Sequence, residues 1–267
     1  MIQSTLGKYR FLINNVRNWP QYFFNKLSGQ KNIYSFTLRK NNVRVEIPKG
    51  VMRVFKEFFM KDGYDIELLK PHLKKNSVIV DVGANIGLFP VFLLSFQPDL
   101  RFFAYEPLPE NYKFLQKNIS SNKFLSDRVR IKDVAVMGEK QTDLKLYFDK
   151  NKSNTDSSSI IKGFENNNDY ISINCTTLQE IIKENGLEKI DILKLDCEGS
   201  EYNILFNTPE EIINSIPFLI IETHDLDDHE NNFIAVKQFL DKLNYLYKTM
   251  PVDNKLNMIW AWKKEMS

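Results

Sequence analysis

Apolar and polar positions change their spacing along the chain, and each change marks a different kind of element. Residues 33–48, IYSFTLRKNNVRVEIP, alternate around Asn41-Asn42 in the manner of a β-hairpin. Ahead of them, residues 1 to about 30 mix aromatic and basic positions (YRFLINNVRNWPQYFFNKL), which suits one short amphipathic helix. Such a helix either packs on the main domain or lies on a membrane surface, where aromatics with Lys and Arg fit the interface. From Val78 the rhythm becomes strand, helix, strand, helix. Apolar strands are predicted at 78–82, 101–105, 129–136, 190–195 and 217–222, with helices at 86–97, 109–119, 177–185 and 201–215. That alternation predicts an α/β chain with a mainly parallel, doubly wound sheet and helices on both faces.

An insertion separates the third and fourth of these strands. TDLKLYFD and DYISINCTTL read as two strands flanking KNKSNTDSSSIIKGFENNN, whose Asn and Ser content predicts a mobile loop. A helix near 229–243 and two last strands, YLYKTMP and NMIWAWK, close the chain as a hairpin. The expected division is an N-terminal helical and hairpin extension, 1–50, followed by a main domain, 51–267.

Composition narrows the partners. The 267 residues carry 36 basic and 34 acidic side chains, so the net charge of +2 offers neither the surplus nor the basic block of a nucleic-acid enzyme. Two cysteines, Cys175 and Cys197, have no metal-ligand spacing and fit a reducing compartment. No apolar run approaches the roughly 20 residues of a membrane span, and the first 20 residues lack the apolar core of a signal peptide. A cytoplasmic protein is expected, with peripheral membrane association left open. The sequence gives no reading of oligomeric state.

The candidate chemistry begins at VIVDVGANIGLF, residues 78–89. An acid, Asp81, and two glycines, Gly83 and Gly87, end the first strand of the alternating region and start its helix. Ligands of open α/β sheets bind at that edge. Gly83 would permit the tight turn and Gly87 a close approach of ligand and helix, unless both serve only as turn residues. Glu106 closes the next strand, 23 positions after Gly83. A carboxylate there can accept both hydrogen bonds of a ribose diol, or it simply caps the helix after Pro107. A dinucleotide site needs G-x-G-x-x-G, and this chain lacks the middle glycine. S-adenosylmethionine, a ribose-bearing ligand without a pyrophosphate, fits better, with Asp133 in IKDVAVMG placed to accept from the adenine amino group.

The fourth strand and the acids after it, IDILKLDCEGSEYNILF, followed by FLIIETHD, together with VDVGANIGLF resemble the FkbM-type S-adenosylmethionine-dependent methyltransferases. The similarity runs from about residue 50 to 225. It implies a Rossmann-like class I methyltransferase fold, with a seven-stranded sheet carrying an antiparallel C-terminal strand. It also implies O-methylation of sugars, polysaccharides or related metabolites. Asp81, Gly83, Asn85 and Gly87 match the family's cofactor loop, Glu106 its ribose acid and Asp133 its adenine-side acid. Asp196, Glu198 and Gly199 match the acidic motif after the fourth strand; Cys197 stands where an aliphatic residue is expected.

Methyl transfer to oxygen needs alignment of the reactants and help in deprotonating a weakly acidic hydroxyl. Asp196, Glu198 and His224 are the catalytic candidates. Asp196 and Glu198 alternatively cap the next helix, and His224 is alternatively a solvent-facing loop residue. As a base, His224 is attractive because its unperturbed pKa of about 6.5 lies near working pH. No metal-ligand set is assigned. A divalent cation held by Asp196, Glu198, Glu222 and His224 and chelated by a sugar diol is the lesser alternative. An NAD-type oxidoreductase on the same sheet and a non-catalytic cofactor-binding module are the competing functions.

Overall fold

The computed structural model describes residues 5–28, 32–61, 63–151 and 158–264. The chain opens with α1 (Thr5–Asn15) and α2 (Pro20–Ser28). The one helix expected here is therefore two, because Pro20 has no N–H to continue the first and its fixed φ suits the start of another. The outer residues of the expected helix, 1–4 and 29–30, lie outside the described residues. A hairpin follows, β1 (Ile33–Thr37) antiparallel to β2 (Arg44–Pro48). Asn41 and Asn42, at φ 57° and 50°, turn it in the left-handed region that asparagine tolerates. Next, α3 (Met52–Lys56) runs into a π-helical turn, Glu57–Lys61, and a short α4 (Ile66–Leu69).

The alternating region then begins: β3 (Val78–Val82), α5 (Leu88–Phe96), β4 (Arg101–Tyr105), α6 (Pro109–Ser120), the short α7 (Lys123–Ser126) and β5 (Val129–Lys132). The strand predicted at 129–136 ends early. Exposed Asp133 interrupts its apolar run, and β6 (Ala135–Met137) leaves the sheet. Within the insertion, β7 (Leu144–Phe148) pairs antiparallel with β8 (Asp169–Ile173), and β9 (Cys175–Thr177) pairs parallel with β6. Residues 152–157 of the loop expected to be mobile lie outside the described residues. Residues 158–161 are tied down instead: Ser159 and Tyr147 exchange main-chain hydrogen bonds of 3.0 and 2.7 Å.

After α8 (Leu178–Asn185), capped by Thr177, come β10 (Ile192–Leu195), α9 (Glu201–Asn207) and α10 (Glu210–Ser215). The helix predicted over 201–215 is broken at Thr208-Pro209. Thr208 takes an extended ψ of 138°, which the following proline favours, and Pro209 has no N–H to give. The chain finishes with β11 (Phe218–His224), α11 (Phe233–Lys242), β12 (Tyr245–Pro251) and β13 (Leu256–Lys263).

Seven strands form the main sheet in the order β12-β13-β11-β10-β3-β4-β5, and β13 runs antiparallel to both neighbours. Alternate strand residues serve two separate cores. Ile79, Phe102, Ile192, Phe218 and Trp260 join the core that also holds α1, the hairpin and α5. Val80, Phe103, Leu193, Leu219 and Ile259 join the core under α8 to α11. This period-two alternation is the mark of a sheet covered on both faces. Strand order reverses between β3 and β10, so their carboxyl ends diverge into the crevice where such sheets bind ligands. Among the described residues, no helix is long and apolar enough to cross a membrane.

Candidate active site

At the reversal a cleft of about 880 Å³ opens. One wall is the loop after β3 with Glu106; the other is the acidic loop after β10 with Glu222; α3 and the π-helical turn form the side. Gly83, Asn85 and Glu106 line it among the expected cofactor residues, whereas Asp81, Gly87 and Asp133 do not. Asp196 and Glu198 line it among the catalytic candidates, whereas His224 stands behind.

The two glycines answer to the protein itself. At Gly83, with φ +76°, a Cβ would lie 1.8 Å from the main-chain oxygen of Asp196, so only hydrogen lets the two loops of the switch point meet. At Gly87, with φ +84°, a Cβ would strike Leu115 of α6 at 2.7 Å. The close approach expected of a ligand at Gly87 is thus an approach of helices. Asn85 takes a left-handed φ of 52°, and its side chain accepts from the Ile86 N–H.

Glu106 is 4% exposed and holds the loop together. Its Oε2 accepts from the Asn85 N–H at 2.8 Å and its Oε1 from the Leu108 N–H at 2.9 Å. Each oxygen keeps a second lone pair. Burial pushes the carboxyl up to about 7, although both amides pull the other way. Asp133 is exposed just past β5, one residue before Val134 of the cleft wall.

Asp81 and Lys194 are register partners on adjacent strands, 0% and 2% exposed. Lys194 Nζ lies 3.0 Å from Asp81 Oδ1, donates to the Gly83 carbonyl at 3.2 Å, and reaches Asp196 Oδ2 at 3.3 Å. Asp81 therefore supports the cofactor loop from beneath, through Lys194, rather than lining it. Burial raises its carboxyl and the ammonium counters that. Asp196 Oδ2 also accepts from the Tyr64 hydroxyl at 3.0 Å. Burial would raise Asp196, but Lys194 and His224 outweigh it and hold the carboxyl below its ordinary value.

Glu198 adopts φ 55°, a left-handed conformation strained for a side-chain-bearing residue, before Gly199 at φ 100°. Its carboxylate lies 3.2 Å from His224 Nε2, while His224 Nδ1 lies 3.0 Å from Oε1 of fully buried Glu201. Burial would lower His224, yet Glu201, Glu198 and Glu222 push it up to about 10. His224 is the last residue of β11 and 8% exposed. The alternative of a solvent-facing loop residue is therefore corrected. Burial and the neighbouring Asp196 hold Glu222 up to about 8, and burial raises Glu198 well above the usual carboxylate range.

Helix capping by Asp196 or Glu198 is not observed; Glu201 accepts instead from the Cys197 and Gly199 amides, at 3.0 and 2.8 Å. Asp196, Glu198 and His224 do offer ligand atoms within 4.8 Å of one another.

The sequence matches the Methyltransferase FkbM domain over residues 81–247, more than half of the chain. The chain belongs to this family. Among similar proteins, methyltransferase sdnD of Sordaria araneosa is 28% identical over 64% of this chain and 73% of its own. The 31-O-demethyl-FK506 methyltransferase FkbM of Streptomyces tacrolimicus is 24% identical over 61% of this chain and 72% of its own. The 2-O-methyltransferase NoeI of Sinorhizobium fredii is 26% identical over 64% and 72%. The protein is thus an S-adenosylmethionine-dependent methyltransferase, and the oxidoreductase and non-catalytic alternatives fall away.

Three residues of this FkbM-family site escape the sequence reading. Lys194 leaves a trace, since a lysine inside the buried strand ILKL needs a partner. Glu201 reads as an ordinary acid of a helix first turn. Tyr64 lies before the matched span and carries no sequence signal at all.

Proposed function

We propose that this chain is an O-methyltransferase for a hydroxyl of a sugar, polysaccharide or related metabolite, and that the cleft takes S-adenosylmethionine on its Gly83–Glu106 side. The fit rests on Glu106. Its carboxylate is buried at the cleft wall with one lone pair of each oxygen spent on a main-chain amide, which leaves an acceptor apiece for the two donors of a ribose diol. No glycine-rich pyrophosphate cradle competes with this reading. Gly83 and Asn85 shape the wall beside the ribose, and Val134, following Asp133, the wall beyond it.

The bound cofactor supplies a methyl group already activated on a sulfonium. What remains for the chain is to bind, align and deprotonate the acceptor. Asp196 carries the O-directed reading. It is ionised, opens into the cleft, and among the described residues no hydrogen bond reaches its Oδ1. That oxygen would accept the hydrogen bond of the acceptor hydroxyl, orient its lone pair and take up its proton. Glu198 and Glu222 line the same side and suit further hydroxyls, while His224 holds Glu198 in its strained position. The names of two relatives, a 31-O-demethyl-FK506 methyltransferase and a 2-O-methyltransferase, support an oxygen acceptor.

Incubation with methyl-labelled cofactor and fractionated glycans and metabolites tests this reading. Label on a hydroxyl oxygen of a polyol is expected; label on nitrogen or carbon would overturn it. Asp196→Ala should bind S-adenosylhomocysteine within about twofold of wild type yet lose about 100-fold in transfer, the lower end of acid–base contributions. Wild-type turnover in that variant removes Asp196 from the reaction.

A further inference from the structure

Tyr64 precedes the matched residues 81–247, lies 132 residues from Asp196 in sequence, and touches it directly. Three contacts fix it from three elements. Its ring stacks on Phe58 of the π-helical turn, with centroids 4.6 Å apart and planes 9° from parallel. It packs against Phe89 of α5 at 5.3 Å. Its main-chain oxygen accepts from Trp260 Nε1 of β13 at 3.0 Å. The hydroxyl has one place to point, Asp196 Oδ2, 3.0 Å away.

Lys194 Nζ, on β10 two residues before Asp196, approaches the same Oδ2 at 3.3 Å. Two donors on one oxygen orient the carboxyl plane and leave Oδ1 as the oxygen presented to the cleft. A side chain 23% exposed would otherwise rotate about its own bonds and offer either oxygen.

We propose that Tyr64 is a positioning residue for methyl transfer: with Lys194 it clamps Asp196 Oδ2, so that Oδ1 addresses the acceptor hydroxyl in one orientation. Arg53, Val54, Glu57, Phe58 and Tyr64 then form the acceptor-side wall of the cleft, and all five precede the matched residues 81–247. This rests on the reading of Asp196 as the group that receives the acceptor.

Tyr64→Phe keeps the stack on Phe58 and removes only the hydroxyl. S-adenosylhomocysteine affinity by calorimetry should stay within about twofold, because the ribose wall is untouched. The kcat/KM for labelled-methyl transfer should fall about tenfold, the equivalent of one hydrogen bond to a charged group. The acid limb of its pH profile should move to higher pH, since Asp196 loses a donor that favours its charged form. Carbon-13 NMR titration of the Asp196 carboxyl reads the same shift without any acceptor. An unchanged titration, or a wild-type rate and acid limb in Tyr64→Phe while Asp196→Ala is inactive, overturns the clamp. An active Asp196→Ala would instead overturn the role of Asp196 itself.

Discussion

Glu106 is a structural tie in the fold, and in the proposed function it is also the ligand of a ribose diol. It accepts from the main-chain N–H groups of Asn85, which sits in a left-handed turn, and of Leu108, and burial pushes its pKa up to about 7 from 4.5. A raised folded-state value means that the stability this group contributes is present below about 4.5 and is lost as pH rises toward 7. Ribose hydroxyls favour the charged form, so cofactor affinity runs the other way. S-adenosylhomocysteine should bind about tenfold more tightly at pH 8 than at pH 6, as Glu106 ionises, and calorimetry across that range checks it. A flat profile, or the same slope in Glu106→Gln, would remove the ribose assignment. At this scale the sequence was informative about which residues matter and less so about how. Gly83, Asn85, Glu106 and Asp196 reach the cleft as read from their strand-end positions. Gly87 serves Leu115, Asp81 serves Lys194, and His224 sits between Glu198 and Glu201, which reach it from the loop after β10 and from α9.

Between elements, the contact that matters most joins β3 to β10. Lys194 and Asp81 face each other across the central strand pair, nearly inaccessible to water, and Lys194 reaches over to the Gly83 carbonyl and to Asp196. Removing one partner of a buried pair leaves an uncompensated charge. Lys194→Met should therefore cost about 3–5 kcal/mol in urea unfolding, and Lys194→Met with Asp81→Asn clearly less than the two single losses added. Full additivity would show that the strut is not a coupled pair. The insertion matters to the site too. Ser159 donates its hydroxyl to the Glu198 carbonyl, and a Cβ on Gly199 would meet Ile161 at 2.7 Å, so the hairpin packs over the strained acidic loop. Its strands were legible from alternation. Its return to the cleft was not, because a polar Asn- and Ser-rich segment gives no pattern from which docking can be read.

Across the whole molecule, the extension and the sheet share a core. Leu12, Val16, Phe36 and Ile47 belong to the same buried cluster as Phe92, Phe102 and Trp260. The part of the chain before Val78 is thus packed into one face of the sheet, and it brings Tyr64 and Glu57 to the cleft. Leu12→Ala should lower stability by about 2–5 kcal/mol, with fluorescence and circular dichroism following one transition. Two separate transitions, with the sheet unaffected, would show that the extension folds independently.

The order and kind of the elements follow from the sequence alone, because burial on both faces of a parallel sheet imposes apolar strands, and glycine, proline and asparagine mark where the backbone must turn. The strand-end positions of Gly83, Asn85 and Glu106 follow as well, and all three line the cleft, whereas Asp81, Gly87 and Asp133 do not. The acceptor side was decided only in three dimensions. Tyr64, Lys194, Glu198, Glu201, Glu222 and His224 come from three separate stretches of chain, and their contacts depend on neighbours that only the folded sheet supplies.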